Sequence, residues 1–210
     1  MLYKTVAGVG LEVRDINGTL LQTINTGGIT FTDIEYDQNS SRLFGINASK
    51  LTCYEQNSSG GWSEQWRSTQ GVSTLAQAPN GELFCALNND KIYVFDQNGS
   101  ISKQFGWVDG INKLYWNANI IGFAPSGTLV VRGRHTVTGG SSTYRTFYFK
   151  ESGEHIRNWY SSSYDNPSYL THARISPSGI LAIRGDSSGQ EYMFHADGAT
   201  IADPNILVSL

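Results

Sequence analysis

One short pattern recurs along this chain and constrains its fold more than any single residue does. A Pro-x-Gly-x-Leu turn opens an apolar run, a second turn follows, and an aromatic-rich run then ends in a polar-Gly turn. It reads PNGELFCALNNDKIYVFDQNG from Pro79 to Gly99. It returns as PSGTLVVRGRH from Pro125, continued after an insertion by RTFYFKESG, and as PSGILAIRGDSSGQEYMFHADG from Pro177. Diverged copies run NSSRLFGINASKLTCYEQNSSG, from Asn39 to Gly60, and LYKTVAGVGLEVRDING, from Leu2 to Gly18. The marker leucines Leu2, Leu43, Leu83, Leu129 and Leu181 are spaced 41, 40, 46 and 52 residues apart. A repeat of about 42 residues is the length of one four-stranded propeller blade.

Each copy divides into four candidate strands. Strand a precedes the first turn (ITFTDIEYD, GVSTLAQA, NIIGFA, HARIS), strand b starts at the marker Leu, and strand c is the aromatic run. Strand d follows the Gly turn (TLLQTI, GWSEQW, SISKQF, HIRNW, ATIAD). Ile101, Lys103 and Phe105 alternate with Ser102 and Gln104, the period of a half-buried strand. The turns DING, DQNG and HADG are hairpin signals between c and d. Gly, Ser and Asn make up 61 of 210 residues and aromatics 12 %, a mixture that favours short strands and turns over helices.

The first copy lacks a strand a, and the apolar tail NILVSL, Asn205 to Leu210, lacks a partner. Placing the tail in the vacant slot closes a ring and removes an open sheet edge. The expectation is therefore an all-β chain forming a single five-bladed β-propeller. The C-terminal strand pairs with the N-terminal strands to complete blade 1. Approximate blades are 1–28 with 204–210, then 29–71, 72–116, 117–170 and 171–203. Ala76, Ala78, Gly122, Ala124 and Ala173 are read as the small residues of the crowded axis.

The stretch APNGELFCALNNDKIYVF, Ala78 to Phe95, resembles the blade repeat of tachylectin-2-like five-bladed propellers. These repeat a Pro-x-Gly-x-Leu-aromatic strand and an Asn-Asp-Lys-Leu-Tyr strand. In blades 4 and 5 only Pro-Ser-Gly-x-Leu remains. The resemblance implies non-catalytic binding of N-acetyl amino sugars at several equivalent sites.

The chemistry-bearing residues point the same way. Charged residues are 16 % of the chain and the net charge is −3, which argues against an electrostatic nucleic-acid binder. Cys53 and Cys85 lie in apolar runs and read as buried free thiols. The four histidines are scattered, and no cofactor or metal site is expected. No Gly-rich phosphate loop occurs. A five-bladed glycosidase would need two carboxylates flanking one bond. Of the inner strands only one carries acids, Asp33 and Glu35 among them, so catalysis is not expected.

The binding candidates are aromatic, because sugars stack their C–H faces on such rings. They are Trp107, Tyr115 and Trp116 in FGWVDGINKLYWNAN, read as a long surface loop, and Tyr160 and Tyr164 in NWYSSSYDNPSYL. The insertion HTVTGGSST, His135 to Thr143, makes blade 4 the most elaborated. Trp66 and Trp159 read as packing between blades. The N-terminus shows no signal-peptide run and no segment spans a bilayer. The expected role is a surface-exposed virion protein of phage type, synthesised in the cytoplasm, for attachment or particle assembly. Its partners would be other virion proteins or cell-surface glycans. A soluble lectin is the alternative reading and an enzyme the third.

Overall fold

The structure, a computed structural model, describes residues 2–6, 9–15, 17–26, 29–37, 40–86, 91–106, 112–137, 142–159, 170–175, 178–185 and 191–195. Over 2–3, 112–117, 134–137, 142–144, 158–159, 170–174, 182–185 and 191–195 only the backbone is described. Among these residues every regular element is a strand, and the strands form five antiparallel sheets. The first holds β1 (Leu2–Val6), β2 (Gly10–Arg14) and β3 (Leu20–Ile24). The second holds β4 (Asp33–Asp37), β5 (Arg42–Asn47), β6 (Lys50–Gln56) and β7 (Trp62–Gly71). The third holds β8 (Thr74–Gln77), β9 (Leu83–Ala86), β10 (Ile92–Phe95) and β11 (Ile101–Phe105). The fourth holds β12 (Asn112–Phe123), β13 (Leu129–Val137), β14 (Ser142–Phe149) and β15 (His155–Trp159). The fifth holds β16 (Leu170–Ile175), β17 (Ile180–Gly185) and β18 (Glu191–His195). Each sheet is a meander in chain order, and β4, β8, β12 and β16 lie side by side as the innermost strands.

One turn is used repeatedly. At Asp96 the backbone N–H donates to Ser100 O at 2.9 Å, and Gly99 N–H donates back to Asp96 O at 3.1 Å. The same two bonds recur at Asp15, Asn57, Ala78, Ala124 and Lys150. This is a type I turn closed by a left-handed residue and a bulge, and φ > 0 is the reason for glycine at its fourth position. Gly99 has φ 82°. In DING, NSSG and DQNG the leading Asp or Asn also caps the turn. Asp96 Oδ1 accepts the N–H of Asn98 at 2.8 Å and of Ser100 at 2.9 Å. HADG ends beyond the described residues.

The sheets stack face to face, so the central strands are apolar on both sides. Leu83, Phe84, Cys85 and Ala86 are all buried. Leu83 and Cys85 pack with Phe44, Ile46, Leu51 and Cys53 of the second sheet. Phe84 and Ala86 face the other way, onto Leu129, Val131, Phe147 and Phe149 of the fourth. Leu11, Val13 and Ile24 meet Leu43 and Tyr54 between the first and second sheets, and Val130 and Tyr148 meet Leu181 between the fourth and fifth. Four apolar layers thus hold five sheets in a propeller-like arrangement. Ala76, Ala78 and Ala124 are buried within these layers. The thiols are free and buried. Desolvation pushes the Cys53 thiol up to about 12, with Arg42 pulling less strongly the other way, and burial raises Cys85 as well.

Inner strands are sheet edges, and their outward N–H groups need acceptors. Asp33 Oδ2 accepts the Leu75 N–H at 2.9 Å, and Thr74 Oγ1 accepts the Ile120 N–H at 2.9 Å. β4 is therefore tied to β8, and β8 to β12, by the side chain of the strand's first residue.

The fourth sheet departs from expectation. Tyr115 and Trp116 lie on strand β12, not in a surface loop, and the boundary expected at 116/117 moves back to Asn112. Of the segment from His135 to Thr143, residues 135–137 lengthen β13 and residues 142–143 lengthen β14. Asn112–Tyr115 pairs with Arg134–Val137, and Arg134–Thr136 pairs with Ser142–Tyr144. Two sequence insertions supply each other's backbone partners, and a three-stranded extension results. β7 likewise runs ten residues, to Gly71, because Lys50 pairs with Gly71 after a bulge. The closing segment 204–210 lies outside the described residues.

Candidate functional site

The turns between the first and second strands of successive sheets stand at one end of the stack, and two clefts open between them. The larger, about 480 Å³, is lined by Tyr36, Asp37 and Ser40 of the second sheet and by Gln77 to Gly81 and Gln97 of the third. The smaller, about 440 Å³, lies one sheet further on, between Ala78–Pro79 and Ala124–Pro125, with Phe123 and Ile175. The Pro-x-Gly turn is the common wall of both. Proline presets φ at the second turn position, which fixes the wall rigidly.

The first cleft is polar. Asp37 is buried, and its Oδ2 accepts the Ser40 hydroxyl at 2.7 Å. Asn80 Oδ1 accepts the Glu82 N–H at 3.0 Å and Asn80 Nδ2 donates to Glu82 Oε2 at 3.0 Å. Burial opposes ionisation of Glu82, but Asn80, Lys103 and Ser102 outweigh it and hold the carboxyl below its ordinary range. Gln97 forms the far wall. Its carbonyl accepts from Trp66 Nε1 at 3.0 Å and from Arg42 at 3.3 Å. Tyr36 is half-buried beside Asp37, edge-on to Trp62 at 6.2 Å. The cleft thus offers one aromatic ring, one carboxylate and three carboxamides. Asp37 is the only carboxylate among its lining residues.

The sequence candidates fall elsewhere. Trp107, Tyr160 and Tyr164 lie outside the described residues. Tyr115 and Trp116 share β12. Asp33 and Glu35 are two residues apart on β4, and Asp33 is committed to Leu75. Among the described residues no group of three His, Cys, Asp or Glu could hold a metal ion. Trp66 packs on Phe44 at a centroid distance of 6.1 Å and against Gly99. Sequence reasoning missed Tyr36, Asp37 and Gln97. Their signal was positional: each lies in or beside a repeated turn, but the turns come from different copies.

No protein-family model matches the chain, and no curated protein matches it. Among solved structures it is similar to a crystal structure of a protein from Lactobacillus plantarum, with a TM-score of 0.61 and 18 % identity. The fold is propeller-like. The match covers 96 % of this chain and 66 % of that one, so the chain spans about two thirds of that protein's length. At this identity the likeness speaks to fold alone, and it rests on the stacked antiparallel sheets described above.

Proposed function

We propose that this chain is a non-catalytic recognition propeller that binds N-acetyl amino sugars of surface glycans in the clefts between successive turns. The observation that carries this reading is the first cleft. It pairs the Tyr36 ring with Asp37, Asn80 and Gln97 in about 480 Å³, enough for a small saccharide. A pyranose places its C–H face on an aromatic ring and its hydroxyls and acetamide on carboxylate and carboxamide groups. A single lining carboxylate gives no acid/base pair for hydrolysis.

In this proposal the ring has five blades, as in the tachylectin-2-like propellers that Ala78 to Phe95 resembles, and residues 204–210 complete the first. The setting is an exposed surface, a virion or cell exterior, which suits a chain low in charge and rich in Gly, Ser and Asn. The test is a glycan array probed with the whole chain, followed by titration with N-acetylglucosamine. Binding is expected, and Asp37→Asn and Gln97→Ala should weaken it about tenfold each. Absence of binding to any amino sugar, or variants that bind as the parent does, would overturn the reading.

A further inference from the structure

The three carboxamides of the first cleft differ in what already holds them. Asn80 is held at both ends by Glu82, at 3.0 Å each. Gln97 is held at one end only. Arg42 Nη1 donates to its Oε1 at 3.4 Å and to its main-chain carbonyl at 3.3 Å. A guanidinium only donates, so the carboxamide turns its oxygen to Arg42 and its Nε2 away. That Nε2 lies over Gly81, 2.9 Å from where a Cβ would stand, and has no hydrogen-bond partner among the described residues. Gln77 meets the same glycine from the inner strand. Its Nε2 donates to the Gly81 carbonyl at 3.5 Å, which leaves its Oε1 without a partner among the described residues. One carboxamide donor and one carboxamide acceptor thus meet at Gly81, and all three residues line the cleft. The second cleft does not repeat this set. The third sheet has Glu82 before its marker leucine, where the second has Arg42. The fourth sheet has Glu151 at the turn position of Gln97, and Phe123 opposite its marker leucine, where the third has Gln77.

From this arrangement we infer that the first cleft, unlike the second, reads the acetamide of its sugar. Gln97 donates to the acetamide carbonyl and Gln77 accepts the acetamide N–H. Arg42 is a positioning residue that sets which end of Gln97 is offered, and Gly81 leaves the room for it. The inference rests on the amino-sugar reading of the same cleft. A trans acetamide is one planar group with an acceptor on one side and a donor on the other, the complement of the pair at Gly81. A hydroxyl has a single atom to offer where the acetamide spans two. An ammonium only donates, and so opposes the Gln97 N–H. A ligand that leaves such groups unmatched is rejected. Gln97 is exposed, so water compensates in part and the discrimination is about tenfold rather than the larger factors of a sealed site.

The test is isothermal titration calorimetry of the full chain with N-acetylglucosamine, glucosamine and glucose. The parent is expected to bind N-acetylglucosamine about tenfold more tightly than glucose. Gln97→Glu keeps the oxygen that faces Arg42 and turns the donor end into an acceptor. Its preference for N-acetylglucosamine over glucose should vanish. Glucosamine, as the ammonium at mildly acidic pH, should bind this variant about tenfold more tightly than the parent. Arg42→Met removes the donor that orients Gln97 and should lower the preference several-fold, and Arg42→Lys, which keeps a donor, should lower it less. Gly81→Ala pushes Gln97 aside and should act as Arg42→Met does. Gly127→Ala is its control: φ is 81° there against 86° at Gly81, and the nearest atom to the added Cβ is Glu151 Oε1 at 3.5 Å. It should leave the preference intact. Circular dichroism checks the folding of each variant. No binding of N-acetylglucosamine by the parent overturns the amino-sugar reading and this inference together. Binding without preference over glucose, or Gln97→Glu and Arg42→Met variants that keep the parent's preference, overturns this inference alone.

Discussion

Gly99 is the position where turn geometry and sheet packing meet, and its replacement by alanine tests both. Its φ is 82°, where a Cβ costs about 1–2 kcal/mol. A Cβ there would also stand 2.7 Å from the Trp66 ring atoms Cδ2 and Cε3, far inside contact distance. Trp66 would have to shift. Its Nε1–H bond to the Gln97 carbonyl, 3.0 Å, is worth about 1 kcal/mol, and its contact with Phe44 about as much again. Gly18 supplies the control: its φ is 85°, and nothing lies within 4 Å of the added Cβ. The backbone cost is common to both, so Gly99→Ala should exceed Gly18→Ala by about 2 kcal/mol, or about 4–8 °C in Tm for a chain of this size. Thermal melts of the two variants followed by circular dichroism measure the difference. Trp66→Phe in the Gly99→Ala background should relieve part of the clash, giving a double variant less destabilised than the sum. Equal Tm values for Gly99→Ala and Gly18→Ala would refute the argument that Trp66 packs on this turn.

Other outcomes follow from the same structure. Phe84→Ala, at a fully buried ring 5.0 Å from Phe123, should cost about 3–5 kcal/mol by chemical denaturation; a loss under about 1 kcal/mol would contradict the packing between the third and fourth sheets. Asp33→Ala should cost about 1–3 kcal/mol by leaving the Leu75 N–H without its acceptor, and Asp33→Asn, which keeps an oxygen, should cost less. The Cys53 thiol is raised from 9.0 to about 12. Its neutral form is favoured by the fold, so that contribution to stability is complete below about pH 9 and is lost as pH rises from about 9 to about 12. Denaturation midpoints across that range should fall, by a smaller amount in Cys53→Ala. Native chain should react with a thiol reagent near neutral pH only on unfolding, and fast labelling would contradict burial of both cysteines.

Much of the strand order was legible from local chemistry. The Pro-x-Gly-x-Leu turns and the DING and DQNG turns mark hairpins because a bulged type I turn requires a left-handed residue at one place, and glycine answers that need locally. Continuous apolar runs such as LFCA read as central strands because both faces are covered. The extension of the fourth sheet was not legible. FGWVDGINKLYWNAN and HTVTGGSST each look like loops alone, since neither shows what the other offers as backbone partner. The cleft escaped for a related reason. Tyr36, Asp37, Asn80 and Gln97 come from two repeats, and a sequence ranks aromatic loops above a half-buried Tyr beside a turn.

The sequence by itself determined where the repeated turns fall, which apolar runs become central strands and that these strands meander in repeated units, because φ preference and side-chain period act over a few residues. Only the tertiary structure decided which face of each strand meets which neighbour, that Trp66 covers the turn of the next sheet, and that two distant insertions build one extension. Those outcomes depend on register and on stacking between sheets, where the deciding contacts join residues tens of positions apart.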